Sequence, residues 1–185
     1  PLALPSGVAV DNSTGPNAGD IYIADSGDKR VVVISPAGTL LGLYTITQFK
    51  DPRGLAVDPS TGDLYVTDFS GATVYQFSIS GVWGSTTTPG VATLLSSVST
   101  SASAGKGSSP FDVVVDAANS RLYVSDTSLQ EILVFTTATP LAYVGDFPIS
   151  GQPEGISMAP GGDLYIASRS NDKILVYCNP TTGVC

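Results

Sequence analysis

The stretch Pro5-Ser-Gly-Val-Ala-Val-Asp11 decides the fold, because the chain returns to it. It recurs as Pro52-Arg-Gly-Leu-Ala-Val-Asp58, as Pro110-Phe-Asp-Val-Val-Val-Asp116 and, more loosely, as Pro153-Glu-Gly-Ile-Ser-Met-Ala159. A second run follows each copy: Asp20-Ile-Tyr-Ile-Ala-Asp25, Asp63-Leu-Tyr-Val-Thr-Asp68, Arg121-Leu-Tyr-Val-Ser-Asp126 and Asp163-Leu-Tyr-Ile-Ala-Ser168. A third closes the pattern at 30–35, 73–78, 131–136 and 173–178. All are short, rich in Val, Ile, Leu and Tyr, and bounded by Gly, Pro, Asp and Ser, which is strand and turn chemistry without a helical period. Several are apolar at successive positions, so both faces of each sheet must be covered by neighbours.

The repeated prolines stand 47, 58 and 43 residues apart, the period of a propeller blade of four strands. A fourth strand is expected at 39–46, 90–97 and 141–147, and the last copy lacks one. The expected fold is an all-β propeller of four-stranded antiparallel blades in a single domain over 1–185. The blades fall at about 5–51, 52–109, 110–152 and 153–185, either closing with four or forming part of a larger ring. The Ser/Thr-rich segment 96–109 reads as a flexible excursion. The extra Gly-Pro-Asn-Ala-Gly between Asp11 and Asp20 reads as a longer surface loop.

Composition narrows the chemistry. The 185 residues are 42% hydrophobic and 13% charged, ample for a packed core. No apolar run is long enough for a membrane-spanning helix. A net charge of -8 with 8 Lys and Arg argues against nucleic acid and against anionic membrane surfaces. The chain has no histidine, which removes Ser-His and Cys-His nucleophiles and the commonest zinc ligand. The two cysteines, Cys178 and Cys185, flank a turn-forming segment and are expected to form a local disulfide, with free thiols or pairing beyond the chain as alternatives. A bridge implies an oxidising compartment, extracellular or periplasmic. The start at Pro1 reads as that of a processed or excised segment. Asn12 begins an Asn-Ser-Thr sequon, a glycosylation candidate in a surface turn.

The runs from Pro5 to Asp11 and from Gly19 through Asp20-Ile-Tyr-Ile-Ala-Asp25 to Arg30 resemble the NHL-repeat family of β-propellers, and the pattern extends over nearly the whole chain. The resemblance implies that Asp25, Asp68 and Asp126 brace the turn between second and third strands by accepting backbone N–H bonds; Ser168 stands there in the fourth copy. Family members usually have five or six blades, so four copies leave closure open, with residues 2–4 as a possible edge strand for the last blade.

In such a propeller one face gathers the loops entering the first strands and those joining second to third strands. These carry Ser6, Arg53, Phe111, Asp112 and Glu154 near the axis, with Phe69, Arg169 and Asn171 further out. Aromatic anchors beside Arg and carboxylates suit a recognition surface. Asp112 and Glu154 stand near the axis, Asp112 in a slot that the other copies fill with Gly, and paired carboxylates share protons or bind calcium. The metal and cofactor expectation is none, with calcium as a minor possibility. The expected function is a non-catalytic extracellular module that binds a protein or glycan partner or assembles with itself as a surface or filament subunit. The alternative is a divalent-cation-dependent hydrolase or lyase like the gluconolactonase and strictosidine-synthase propellers.

Overall fold

The computed structural model describes residues 1–105 and 107–178. The first blade consists of β1 (Pro5–Val10), β2 (Ile21–Asp25), β3 (Arg30–Ile34) and β4 (Leu40–Tyr44), antiparallel and in sequence order. The second holds β5 (Pro52–Val57), β6 (Leu64–Asp68), β7 (Thr73–Ser80) and β8 (Val91–Ser99); the third holds β9 (Pro110–Asp116), β10 (Arg121–Asp126), β11 (Glu131–Thr136) and β12 (Tyr143–Pro148). The fourth has β13 (Pro153–Met158), β14 (Leu164–Ser168) and β15 (Lys173–Tyr177), so it lacks an outer strand among the described residues. The innermost strands stand side by side in chain order, β1 by β5, β5 by β9 and β9 by β13.

Strand alternation sends each blade's side chains to opposite neighbours. In β2, Tyr22 and Ala24 meet Leu55, Leu64, Val66 and Phe77 of the second blade. In the second blade, Tyr65 and Val74 turn instead toward Val113, Leu122 and Val124 of the third. Tyr123 and Ile132 then pack with Leu164 and Ile166 of the fourth. Three core clusters thus join four blades among the described residues, and the far faces of the first and last blades lie outside them.

Two devices draw the inner strands together. The Pro-x-Gly copies bulge the first strand, with register shifts at Pro5–Gly7 and Pro52–Leu55. A Cβ on Gly7 would stand 2.0 Å from the Arg53 carbonyl oxygen, and one on Gly54 would stand 2.5 Å from Asp112 Cα. Only glycine permits that approach. Gly7→Ala should lower stability by about 1–3 kcal/mol in urea unfolding, because backbone must yield. The second device is a hydroxyl pin. Thr67 Oγ1 accepts from Gly54 N at 2.8 Å and donates to the Phe111 carbonyl of the next blade at 2.9 Å; Ser125 Oγ accepts from Asp112 N and donates to the Glu154 carbonyl at 2.6 Å. Thr67→Val should cost about 1–3 kcal/mol, measured the same way, by stranding a buried N–H and a carbonyl.

The Asp that ends the repeated first run turns the chain into the second strand. Asp11 accepts from Ser13 N and Asp58 from Ser60 N, each at 2.8 Å, and Asp116 accepts from Asn119 N at 3.2 Å.

Three sequence expectations change. Residues 2–4 do not form an edge of the last blade: Ala3 N donates to Asp25 Oδ1 and the Ala3 carbonyl accepts from Gly27 N, tying this segment to the first blade. The longer loop after Asp11 is a clasp, not only a surface variation. Its buried Asn17 donates to the Gly81 carbonyl and accepts from Trp83 N, seating Trp83 where its indole N–H donates to Tyr22 Oη at 3.0 Å. Of the segment 96–109, read as flexible, residues 96–105 and 107–109 are tied to the second and third blades. It continues β8 to Ser99 and enters a short helix, α1 (Thr100–Ala104), capped by Ser99 Oγ accepting from Ala102 N. Ser96 Oγ accepts from Leu141 N of the third blade, and Ser108 and Ser109 both reach Asp126. The hydroxyls of Ser96, Ser99, Thr100, Ser101, Ser108 and Ser109, which looked like linker chemistry, are engaged in hydrogen bonds.

Candidate functional site

Asp25, Asp68 and Asp126 are fully buried at the ends of second strands. Asp68 accepts from Lys50 N and Asp51 N on the strand-entry connector, each at 2.8 Å, and from Gly71 N in its own turn at 2.9 Å. Asp126 accepts from Ser109 N on the connector and from Ser128 N and Leu129 N in the turn. Asp25 takes Ala3 N and the Arg30 guanidinium at 2.8 Å. Each carboxylate ties a blade's entry to the turn or third strand behind it. In the fourth blade Ser168 Oγ donates to the Ser150 carbonyl at 2.7 Å, reversing the direction of the bond.

With the entries fixed, Ser6, Arg53 and Phe111, which follow the first three repeated prolines, line the axial end. Arg53 follows Pro52 and is half-buried. Its guanidinium carbon lies 3.7 Å from the Phe69 ring centroid and 5.2 Å from that of Phe111, and those rings meet edge to face at 6.2 Å. Its Nε and Nη2 both donate to Asp51 Oδ2, at 3.2 and 3.0 Å. Stacking and the ion pair hold the cation in one orientation. Arg53, Phe69 and Phe111 therefore form one cluster.

Asp112 departs from glycine at the bulge of the third blade and reaches across to the fourth. Its Oδ1 accepts from its neighbour Val113 N at 2.9 Å, and its Oδ2 from Ile156 N of β13 at 3.0 Å. Burial pushes this carboxyl above its ordinary 3.8, while the two backbone N–H bonds pull in the opposite direction. It lines an axial cavity of about 260 Å³ with Ser6, Gly7, Arg53, Gly54, Phe111 and Gly155. A wider recess of about 390 Å³ adjoins it, sharing Ser6, Arg53 and Phe111 and adding Lys50, Ser26 and Ser70. The structure thus brings Asp112 and the Arg53 cluster to one cavity wall.

The remaining candidates lie apart. Glu154 pairs with exposed Arg169 at 3.1 Å, and Asn171 turns to Ser150 Oγ at 3.4 Å. Asn12 is exposed in the loop after β1. Cys185 lies outside the described residues, and with it the expected Cys178–Cys185 pairing. Asp51, which orients Arg53, was missed by sequence reading; its one signal is that it lies two residues before that arginine. Asp112 accepts from two N–H groups, Glu154 pairs with Arg169, and no group of three His, Cys, Asp or Glu side chains able to hold a metal occurs among the described residues.

The NHL repeat model matches residues 49–77, which run from the entry of the second blade into β7. Strictosidine synthase-like 12 of Arabidopsis thaliana is 43% identical over 70 residues, covering 36% of this chain and 19% of that protein. Among solved structures, the periplasmic gluconolactonase of Pseudomonas aeruginosa superposes with a TM-score of 0.74 at 18% identity, over 97% of this chain and 51% of that one. A protein from Bacteroides uniformis, provisionally classed as a 6-phosphogluconolactonase, superposes with a TM-score of 0.72 at 22% identity, over 97% and 52%. The chain spans about half the length of these two solved propellers. The solved structures share the fold. The expectation of a non-catalytic module is corrected by this set, since the sequence relative and both propellers carry enzyme-type names.

Proposed function

We propose that these four blades belong to an enzyme-type propeller, a hydrolase or lyase of the gluconolactonase and strictosidine-synthase-like kind, acting at the axial cavity. One observation carries the reading: the carboxyl of Asp112, raised by burial, stands in a glycine slot and lines that cavity beside an oriented arginine. An ionised carboxylate has about four acceptor positions, so two backbone N–H bonds leave capacity for a water.

In the hydrolytic form Asp112 is the general base. It takes a proton from a water as the water oxygen bonds to the carbonyl carbon of a lactone. The ring C–O bond then breaks, and Asp112 returns the proton to the departing oxygen. Arg53, held on two rings, orients the polar or anionic part of the substrate, with the Ser6, Ser26 and Ser70 hydroxyls of the adjoining recess serving a polyhydroxylated one. A location outside the cytoplasm belongs to the same proposal, supported by the periplasmic gluconolactonase among the structural neighbours.

Acid release from a panel of aldonolactones, followed at constant pH, tests this. Turnover by the wild-type protein that Asp112→Asn lowers with the far-ultraviolet spectrum unchanged is the expected result. No turnover of any lactone, or equal turnover by the variant, overturns it.

A further inference from the structure

The recess beside the axial cavity is a cationic place in an acidic chain. Of the chain's 8 Lys and Arg, Lys50 and Arg53 both line it, and Asp51 is the one carboxylate among its described lining residues. Asp68 fixes this stretch of backbone by accepting from Lys50 N and Asp51 N. A guanidinium carries five N–H donors, and Arg53 spends only one from Nε and one from Nη2, both on Asp51 Oδ2. The end-on fork formed by Nη1 and the second hydrogen of Nη2 has no hydrogen-bond acceptor among the described residues. With the Phe69 ring packed at 3.7 Å on the guanidinium, a ligand meets that fork in its plane, as carboxylate and phosphate oxygens do. The hydroxyls around it are already oriented. Ser26 Oγ gives its proton to the Pro52 carbonyl, and Ser6 Oγ, 2.7 Å from Ser26 Oγ, also lies within reach of the Pro52 and Arg53 carbonyls. Ser70 Oγ donates to Asp51 Oδ2 at 3.3 Å. Since each hydroxyl has one proton and spends it on the protein, Ser6 and Ser70 present lone pairs to the recess, which accept from a ligand's O–H.

We infer that this recess is a subsite for a terminal anionic group, carboxylate or phosphate, on a polyhydroxylated chain. The anion meets the Arg53 fork and the Lys50 ammonium, and the neighbouring ligand hydroxyls donate to Ser6 and Ser70. A neutral polyol leaves the fork unmatched, and a bare anion leaves the serine acceptors unmatched. As part of a substrate site this rests on the proposed lactone chemistry. It adds that the lactone carries a negative charge at the end remote from the bond that opens at Asp112, whose cavity adjoins the recess and shares Ser6, Arg53 and Phe111 with it. A charged group held away from the reacting bond positions that bond without taking part in the reaction. The recess is built within the first three blades: Ser6 and Ser26 come from the first, Lys50, Arg53 and Ser70 from the second and its entry, and Phe111 from the third.

Isothermal titration calorimetry with sorbitol, gluconate, sorbitol 6-phosphate and inorganic phosphate tests it, since none of these is a lactone and no turnover is needed. The expected result is that gluconate or sorbitol 6-phosphate binds at least about tenfold more tightly than sorbitol, with an affinity that falls as salt rises. The tighter of the two identifies the anion. Lys50→Gln and Arg53→Gln should each weaken that ligand by about tenfold, the scale of one charge-assisted contact. Lys50 is exposed, so a loss of binding in its variant is not a loss of fold. Equal affinity for sorbitol and both polyol anions, no binding of any of them, or anion affinity unchanged in both variants would overturn the proposal. So would inorganic phosphate binding as tightly as sorbitol 6-phosphate. Selective anion binding by a protein that opens no lactone would uphold the subsite and fail the hydrolase reading. Lactone opening at equal rates for neutral and anionic substrates would uphold the hydrolase and fail the subsite.

Discussion

Asp126→Ala is expected to destabilise the protein by about 3–5 kcal/mol, the largest effect of any single substitution considered, because it strands several backbone donors at once. The carboxylate is fully buried and accepts from Ser109, Ser128 and Leu129 N–H groups and from the Ser108 hydroxyl. Removing it leaves the entry to the third blade and the turn behind it without acceptors in a site closed to water. For a domain of this size the loss corresponds to a fall in melting temperature of roughly 6–20 °C. Asp126→Asn keeps one acceptor oxygen and should cost less. In the fourth blade Ser168 does the tying with a single donated bond at 2.7 Å, so Ser168→Ala should cost about 1 kcal/mol. Equal losses for the third-blade and fourth-blade alanine variants in urea unfolding would show that the carboxylate's many bonds carry no special weight.

Asp112→Asn is expected to lower lactone hydrolysis by about 100- to 10,000-fold, the usual contribution of a positioned general base. The pH dependence carries the sign. A base works when deprotonated, and burial raises this carboxyl above 3.8. Activity should therefore be full on the alkaline side and fall as pH drops through the raised value, giving an acid limb above the ordinary aspartate range. The residual activity of Asp112→Asn should lack that limb. A limb that persists unchanged in the variant would assign it to another group.

Much of this was legible because the repeats report the same physics four times. The repeated proline, the Tyr of the second strand and the Asp of the strand ends recur in most copies, so the order of strands within a blade followed from sequence alone. Asp112 was visible as a departure from its glycine slot. What it touches was not, since Ile156 N becomes its donor only when β13 stands against β9. The Asn17, Trp83 and Tyr22 clasp was hidden for the same reason: Trp83 lies more than sixty residues from both of its partners, and no local pattern marks them. The segment 96–109 misled because serine and threonine hydroxyls look alike in a linker and in a hydrogen-bonded cap; only the acceptors, Asp126 among them, distinguish the two. The missing histidine weighed the expectation toward a non-catalytic module, while the carboxylate-based hydrolase or lyase kept as the alternative is the reading that the relatives support.

The central claim is that the axial carboxyl of Asp112 is a working acid-base group. The most direct measurement is a carbon-detected nuclear magnetic resonance titration of that carboxyl, with and without an aldonate, the product of lactone hydrolysis. The account predicts a midpoint above 3.8 that moves when the aldonate is added, and that Arg53→Ala abolishes the movement. A carboxyl titrating at its ordinary value and indifferent to the aldonate would contradict it.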